Sequence, residues 1–567
     1  MSLNNNNDGA SNRNLIVALV IFVMMMFCYN HFFDGPQQTA TQKTEDAAPE
    51  DSKGDEQSLS ASPPQPAKIV SDDSVAASRS RQTIENANLI GSVNPNGGVL
   101  DIVTLKSYKQ TTDDNSECVK LLSPSEFYCG IAYNDKTNNE LIAESSVWIP
   151  SDDEGTDKSA TLSLQTQHGL IIKRTVAIDD GYLANVTDEI TNVSGNVISV
   201  SADVHLVRKN PPQGNYAVVH EGLIGSAAGR IEEVKYSNVD SEKKLNEADW
   251  FGFTDIYWLC AIINKDPNFT VSYTKSDADS FKVSAVSKED IKLQPEETVK
   301  VQYSVFTGPK DMEILNGYGD KLRLQKFDMA IDFGWFFIVT KPLLYLMDIL
   351  AKIFSNMGLV VVILTLMFKI LTYPLTKKSF ASMAKMKKLQ PKITNLQKTY
   401  SHDKMRLNQE LVALYKREQV SPMSGCLPML LQAPIFFCLY KVFFISIHMR
   451  HAPLFLWIRD LSAPDPLYIF NLFGVIDWTP PGFLRIGVWP IIMGLTMFWQ
   501  QKLSSTQGPK SPEKTSEQKM QENMMIVLPI MFTYICSSFP VGVVIYWTIS
   551  NIISMIQQRY TTMRAEK

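Results

Sequence analysis

The chain has 567 residues, with 54 Lys and Arg against 59 Asp and Glu and a formal net charge of −5. That sum hides a division, because residues 34–330 carry 46 acidic and 28 basic side chains and the remainder 13 and 26. Such length and asymmetry exclude one domain in one environment, and seven cysteines without metal-ligand spacing exclude a disulfide framework or a zinc site.

Residues 1–14 read as a short cytoplasmic tail. Leu15 to Phe33, LIVALVIFVMMMFCYNHFF, is apolar and long enough to cross a bilayer at about 1.5 Å per residue. No small-residue cleavage site follows it, and Met26 and Phe27 before Cys28 do not suit a lipoprotein signal, so it reads as an uncleaved anchor. Residues 34–82 are rich in Pro, Ser, Ala and acids, too poor in large apolar side chains to fold, and read as a linker.

From residue 83 to 330 the period becomes two. Ile198, Val200, Ala202, Val204 and Leu206 alternate in VISVSADVHLV, as do Val299, Val301, Tyr303 and Val305 in VKVQYSVF, and NPNGG and SGN punctuate the runs. A β-rich domain of sandwich type is expected. A Cys118–Cys129 disulfide stays open.

The remainder, residues 331–558, reads as helical and membrane-embedded. Asp332 to Phe354 mixes apolar residues with Lys341, Pro342, Asp348 and Lys352, which suits an interfacial helix. Spans are predicted near 356–375, 425–447, 486–501, 524–538 and 541–556, the last two divided at SSFPVG because 33 residues, about 50 Å as one helix, exceed the hydrocarbon thickness. Thr376 to Ser424 holds 11 Lys or Arg against Asp403, Glu410 and Glu418, which puts it in the cytoplasm. The acidic β domain then lies outside, and six spans leave both ends inside.

The cytoplasmic segment itself reads as two helices joined near Ser401 and His402. Its apolar stripe includes Met383 and Met386; Lys387 and Lys388 belong to the basic face. A packed hairpin with a solvated face and a docking surface for anionic head groups or a targeting partner are both open.

Lys369 stands inside the apolar run VVVILTLMFKILTYPLTKK, where a cation costs roughly 2.5–3.5 kcal/mol on insertion scales. No Asp or Glu occurs in the last five predicted spans, so no intramembrane ion pair can compensate. Lys369 must snorkel toward Lys377, about 12 Å along the axis, or face water held inside the protein. Thr365 one turn away, Gln432, Thr496, Ser550 and Asn551 could line such a wet cavity. Gln432, Phe436 and Tyr440 repeat every four residues on one helix face. Sixteen of the 23 methionines lie from Met357 onward, a composition that suits surfaces accepting varied apolar partners. There is no Walker A pattern, dinucleotide fingerprint or HExxH, no catalytic residue is assigned, and His448 and His451 in HMRH read as interfacial.

YPLTKKSFASMAKMKKLQPKI, SPMSGCLPMLLQAPIFFCLY and FPVGVVIYWTISNIISMIQQ resemble the YidC family of membrane protein insertases. NPNGGVLDIVTLKSY, WFGFTDIYW and FTGPK resemble the large periplasmic domain of its Gram-negative members. The resemblance implies a polytopic inner-membrane protein with a five-span core around a hydrophilic groove, open to cytoplasm and lipid. It implies a groove cation, usually arginine, at Lys369. It also implies substrate-contacting faces at Gln432, Phe436, Tyr440, Tyr546 and Trp547, and the cytoplasmic hairpin over Thr376–Glu418. Nascent membrane proteins would be the substrates. The Sec translocon, the signal recognition particle receptor, the ribosome and phospholipids would be partners, with no nucleic acid bound directly and no cofactor. The tail, residues 559–567, carries only Arg559, Arg564 and Lys567, so little tail-based ribosome binding is expected. Two other readings compete: an anion transporter using Lys369 as its site, and a scaffold whose outer domain does the binding.

Overall fold

The computed structural model describes residues 81–567 except 136–139, 143–145, 152–155, 213–218, 240–242, 246, 265, 267, 278, 421–426, 477, 479, 482–483, 505–515 and 567. The expected anchor, Cys28, Cys426 and the expected linker up to residue 80 lie outside the described residues, while Gln82, the linker's expected last residue, begins a strand. The chain divides into two compact units, one running to Trp335 with Ile445–Ile447, the other made of Phe336–Phe444 and His448–Lys567.

Among the described residues the first unit is built on two antiparallel sheets of eleven and nine strands. Ile198–Lys209 pairs with Phe127–Asn134 on one side and Ser280–Ser287 on the other, and it centres the larger sheet. Thr298–Pro309 pairs with Leu183–Asn192 and Trp258–Ile263 in the smaller one. The sheets meet through inward side chains, as in a sandwich. Arg174 on the smaller sheet pairs bidentately with Asp188 (2.8 and 2.7 Å), and Tyr133 of the larger sheet donates to the same carboxylate at 2.7 Å. Arg174 also donates to the Gly98 carbonyl and lies 4.4 Å from the Trp148 ring centre, so its charge is buried only where it is matched. The alternation expected along 198–206 holds only at its start: from Ala202 to Val207 both faces are buried, because Asp203 bonds Lys282 and His205 fills the second face.

A short helix α1, Met312–Leu322, closes this unit. Asp311 caps it by accepting from the Glu313 and Ile314 amides, and Tyr318 ties it to the smaller sheet through Asp179 and the Tyr182 amide. An open cleft of about 720 Å³ lies beside it, lined in part by Asp179, Tyr182 and Lys321. Cys118 and Cys129 are free thiols, as are Cys260, Cys438 and Cys536.

The second unit is helical: α2 (Phe337–Ile353), α3 (Met357–Thr399), α4 (Lys404–Arg417), α5 (Leu427–Ile445), α6 (Val488–Ser504), α7 (Ser516–Cys536) and α8 (Val541–Glu566). Among the described residues two helices are long and apolar enough to cross a membrane, within Met357–Thr399 and Val541–Arg564; Gln432–Ile445 and Met525–Cys536 are shorter apolar helices. α3 differs from the sequence reading, which separated a span from a cytoplasmic helix near Leu375. It runs unbroken through Pro374 and Pro391 for 43 residues, about 65 Å, so its basic half extends well past any hydrocarbon core. Trp335, Ile338, Tyr345 and Ile353 on and before α2 are exposed apolar residues, while Leu343, Leu344 and Met347 are buried.

Candidate functional site

The site forms around α8, because polar residues recur along one of its faces. Asn551, Ser554, Gln558 and Thr561, at spacings of three and four, are all buried. Buried polar groups need partners, and α8 finds them on its neighbours. Asn551 donates to Thr496 Oγ1 on α6 at 3.2 Å, and Gln558 accepts from Ser504 of α6 at 3.1 Å.

Ser554 faces α3, where its Oγ accepts from Lys369 Nζ at 2.8 Å; Gln432 Oε1 on α5 accepts from the same ammonium at 3.2 Å. Gln432 Nε2 donates in turn to the Tyr546 hydroxyl, and Gln557 Nε2 donates to the Lys369 carbonyl at 3.4 Å. Three helices are thereby tied by one cation. Lys369 is only 8% exposed, so of the two readings left open, the ammonium is held inside rather than extended toward Lys377. Its hydrogen-bond partners, Ser554 and Gln432, are neutral, so among the described residues the charge is solvated by dipoles and not cancelled.

Thr365 is buried but donates to its own helix, at the Val361 carbonyl, and takes no part in this network. Thr496 both donates to the Met493 carbonyl and accepts from Asn551. Ser550 is buried beside the Tyr546 hydroxyl.

An aromatic cluster continues from the polar one. Phe436 packs on Trp547 at 4.6 Å between ring centres, Tyr440 on Phe539 at 5.0 Å, and Phe532 on Trp547 at 5.1 Å. Phe436, Tyr440 and Trp547 are half-buried; Tyr546 is 1% exposed, with its hydroxyl bonded to Gln432. Thus Lys369, Gln432, Tyr546, Ser550 and the aromatic residues come together, Thr496 and Asn551 form a neighbouring pair, and the hairpin residues are separate.

In the hairpin, Leu389, Ile393 and Val420 are buried with Met386, Leu411, Leu414 and Tyr415 packed against them. Met383 is buried, Lys387 and Lys388 are exposed, and Lys392 pairs with Glu418 at 2.9 Å. His448 and His451 each lie near one carboxylate, Asp348 at 3.8 Å and Asp460 at 4.0 Å, which the sequence reading had not placed beside them.

A family profile described as 60Kd inner membrane protein matches residues 349–567, and one described as YidC periplasmic domain matches residues 81–346. The membrane protein insertase YidC of Brucella suis biovar 1 (strain 1330) is 39% identical over 507 residues, covering 86% of this chain and 81% of the relative. This chain belongs to the YidC family. The YidC of Rickettsia massiliae (strain Mtu5) is 38% identical, covering 85% of this chain and 87% of the relative. A crystal structure described as active YidC insertase with the first transmembrane domain resolved aligns with a TM-score of 0.35 and 16% identity, over 85% of this chain and 92% of that one.

Within this YidC-family chain, sequence reasoning missed Ser554, Gln557, Gln558 and Ser504. The signal was present: Asn551, Ser554 and Gln558 share one helix face, and a polar stripe in an apolar helix needs a partner. It also passed over Lys441, a second buried lysine in an apolar helix, which the test applied to Lys369 would have found.

Proposed function

We propose that this protein is a membrane protein insertase that passes apolar segments of nascent inner-membrane proteins along the Lys369 site into the bilayer. The observation that carries the reading is the Lys369 ammonium, buried between α3, α5 and α8 and bonded to Ser554 and Gln432. A positive charge left uncancelled at that depth keeps the local potential positive. It lowers the cost of admitting an acidic or polar extracytoplasmic segment part-way into the membrane. The following apolar segment then leaves along the half-buried Phe436, Tyr440 and Trp547 into lipid. Burying about 20 apolar residues supplies the driving force, aided by the membrane potential acting on acidic segments.

In this reading α3 and α5 to α8 provide five spans, the N-terminal anchor a sixth, and α2 lies at the interface. The positive-inside rule supports a cytoplasmic α3–α4 hairpin and C-terminus, with the β domain in the periplasm of a Gram-negative bacterium. The exposed Lys387 and Lys388 favour contact with anionic lipid or with the signal recognition particle receptor and ribosome, and action beside the Sec translocon is part of the proposal.

Photo-crosslinkers at Gln432 and Tyr440, tested singly during synthesis of a short single-span protein in membranes, decide the matter. A crosslink at intermediate chain length that vanishes after release is the expected result. Silence at both positions while insertion proceeds normally would overturn the reading in favour of a transporter or scaffold.

A further inference from the structure

The segment joining α5 to α6 carries large apolar side chains where solvent exposure should exclude them. Phe455 and Leu456 are 58% and 75% exposed, and Leu472, Phe473 and Val475 are 54%, 54% and 83% exposed. Residues 470–476, FNLFGVI, contain no charge. Apolar surface concentrated in this way marks a contact with something apolar.

The backbone of the second tip is closed on itself. The five successive amides from Leu472 to Ile476 all donate within the loop, to carbonyls of Tyr468, Ile469, Asn471 and Leu472. Leu472, Phe473 and Gly474 all have positive φ, at 49, 60 and 87°, a conformation that Leu and Phe adopt only at a cost. It turns these side chains outward while leaving no N–H of those five unsatisfied. A partner protein would not require that, since exposed amides could pair across an interface. A lipid medium does, because nothing there accepts a hydrogen bond.

The two tips form one rigid piece. Asp465, 2% exposed, accepts from the Trp457 indole at 3.0 Å beside the first tip and from the Leu467 amide at 3.1 Å at the neck of the second. Its other oxygen accepts from the Trp489 amide, at the start of α6, at 2.7 Å. Leu454, beneath the first tip, packs so closely on Gly358 at the start of α3 that a Cβ there would lie 1.8 Å from it. The Val541 and Gly542 amides at the start of α8 donate to Ala463 and Leu461. The piece therefore sits where α3, α6 and α8 all begin, at the end of the bundle from which the basic half of α3 leads away.

We propose that residues 452–476 form an extracytoplasmic membrane anchor, with Phe455–Leu456 and Leu472–Ile476 seated in lipid at the boundary of head groups and acyl chains. This rests on the reading that α3 and α5 to α8 cross the bilayer. Side chains on such a piece reach about 5–10 Å into the boundary, and Trp478, 46% exposed, suits the head-group level. The anchor holds the starts of three helices at a fixed depth.

The test uses the full chain in liposomes of phosphatidylethanolamine and phosphatidylglycerol. An environment-sensitive fluorescent amino acid is placed at Val475, at the exposed Leu495 of α6, or at the exposed Val197 of the β domain. Val475 is expected to be quenched severalfold more by lipids with a shallow nitroxide than by aqueous iodide, Leu495 by lipid nitroxides alone, and Val197 by iodide alone. Iodide quenching at Val475 with lipid quenching at Leu495 overturns the anchor while leaving the spanning reading intact. Iodide quenching at both overturns the spanning reading and the anchor with it.

Discussion

Lys369 Nζ donates to Ser554 Oγ across 2.8 Å, so a cation on α3 is oriented by a hydroxyl on α8 four residues before Gln558. Hydrogen bonds from charged groups contribute about 1.5–3 kcal/mol, against about 1 for neutral ones. Lys369→Met keeps an unbranched side chain one atom shorter and removes its charge. Burying a cation costs more than burying a thioether, so the variant should fold at least as stably. Its insertion of substrates with acidic extracytoplasmic segments should fall several-fold, while substrates with uncharged segments change little, and Lys369→Arg should retain both. Protease protection in inverted membrane vesicles measures this. Equal loss for both substrate classes would remove the electrostatic role assigned to Lys369.

The β domain carries a carboxyl whose ionisation opposes folding at high pH. Burial, with Asp255 nearby, pushes Glu221 up to about 7, against the weaker opposing pull of Arg208 and Lys310. A raised carboxyl is held neutral in the fold but ionises near its ordinary value once unfolded. Stability is therefore undiminished below that ordinary value, falls as pH rises toward about 7, and stays lower above it. His220 acts at the other end: burial lowers it to about 4, so stability falls as pH drops from the usual imidazole range toward that value. Glu221→Gln should remove the alkaline loss, on the order of 1–3 kcal/mol, and leave the acid limb in place. Urea unfolding of a fragment carrying residues 81–335, from about pH 4 to about pH 8, reads both limbs. A variant that keeps the alkaline loss would assign it to another group.

Much of this was legible in the residues. The two-residue period of VKVQYSVF corresponds to a strand whose Val301, Tyr303 and Val305 are buried, because one face of that strand covers the core. SSFPVG coincides with the end of α7 and the start of α8, where Pro540 precedes the first helical residue of α8, Val541. Less legible was α3, in which neither Pro374 nor Pro391 ends the helix; tertiary packing and flanking hydrogen bonds override local propensity. The pairing of Lys369 with Ser554 was beyond a sequence reading altogether, since the two residues are 185 positions apart and periodicity says which face is polar, not what it meets.

Arg174 and Asp188 lie 1% and 0% exposed, and the carboxylate is shared with Tyr133 of the opposite sheet. Removing one partner leaves a buried charge without compensation, at about 3–5 kcal/mol. Arg174→Met should therefore unfold the 81–335 fragment at markedly lower urea. Replacing Asp188 by Asn as well should recover part of the loss, because the orphaned carboxylate is gone. A double variant no more stable than Arg174→Met would indicate that the guanidinium contributes through Trp148 and Gly98 and not through the ion pair.

Gly494 on α6 has no room for a side chain. A Cβ there would lie 2.1 Å from Thr533 Oγ1 on α7, and that hydroxyl is already committed to the Pro529 carbonyl at 2.8 Å. Small residues at a helix contact let backbones approach, and adding bulk separates them. Gly494→Ala should lower thermal stability in detergent micelles by about 1–3 kcal/mol, despite alanine's better helix propensity. Thr533→Ala removes the clashing oxygen and leaves the threonine's Cβ position 3.4 Å away, an ordinary contact. In that background the same substitution should become neutral or stabilising, so the double-mutant cycle should show coupling of about 1–2 kcal/mol. Additive losses would mean that α6 and α7 do not pack through this pair.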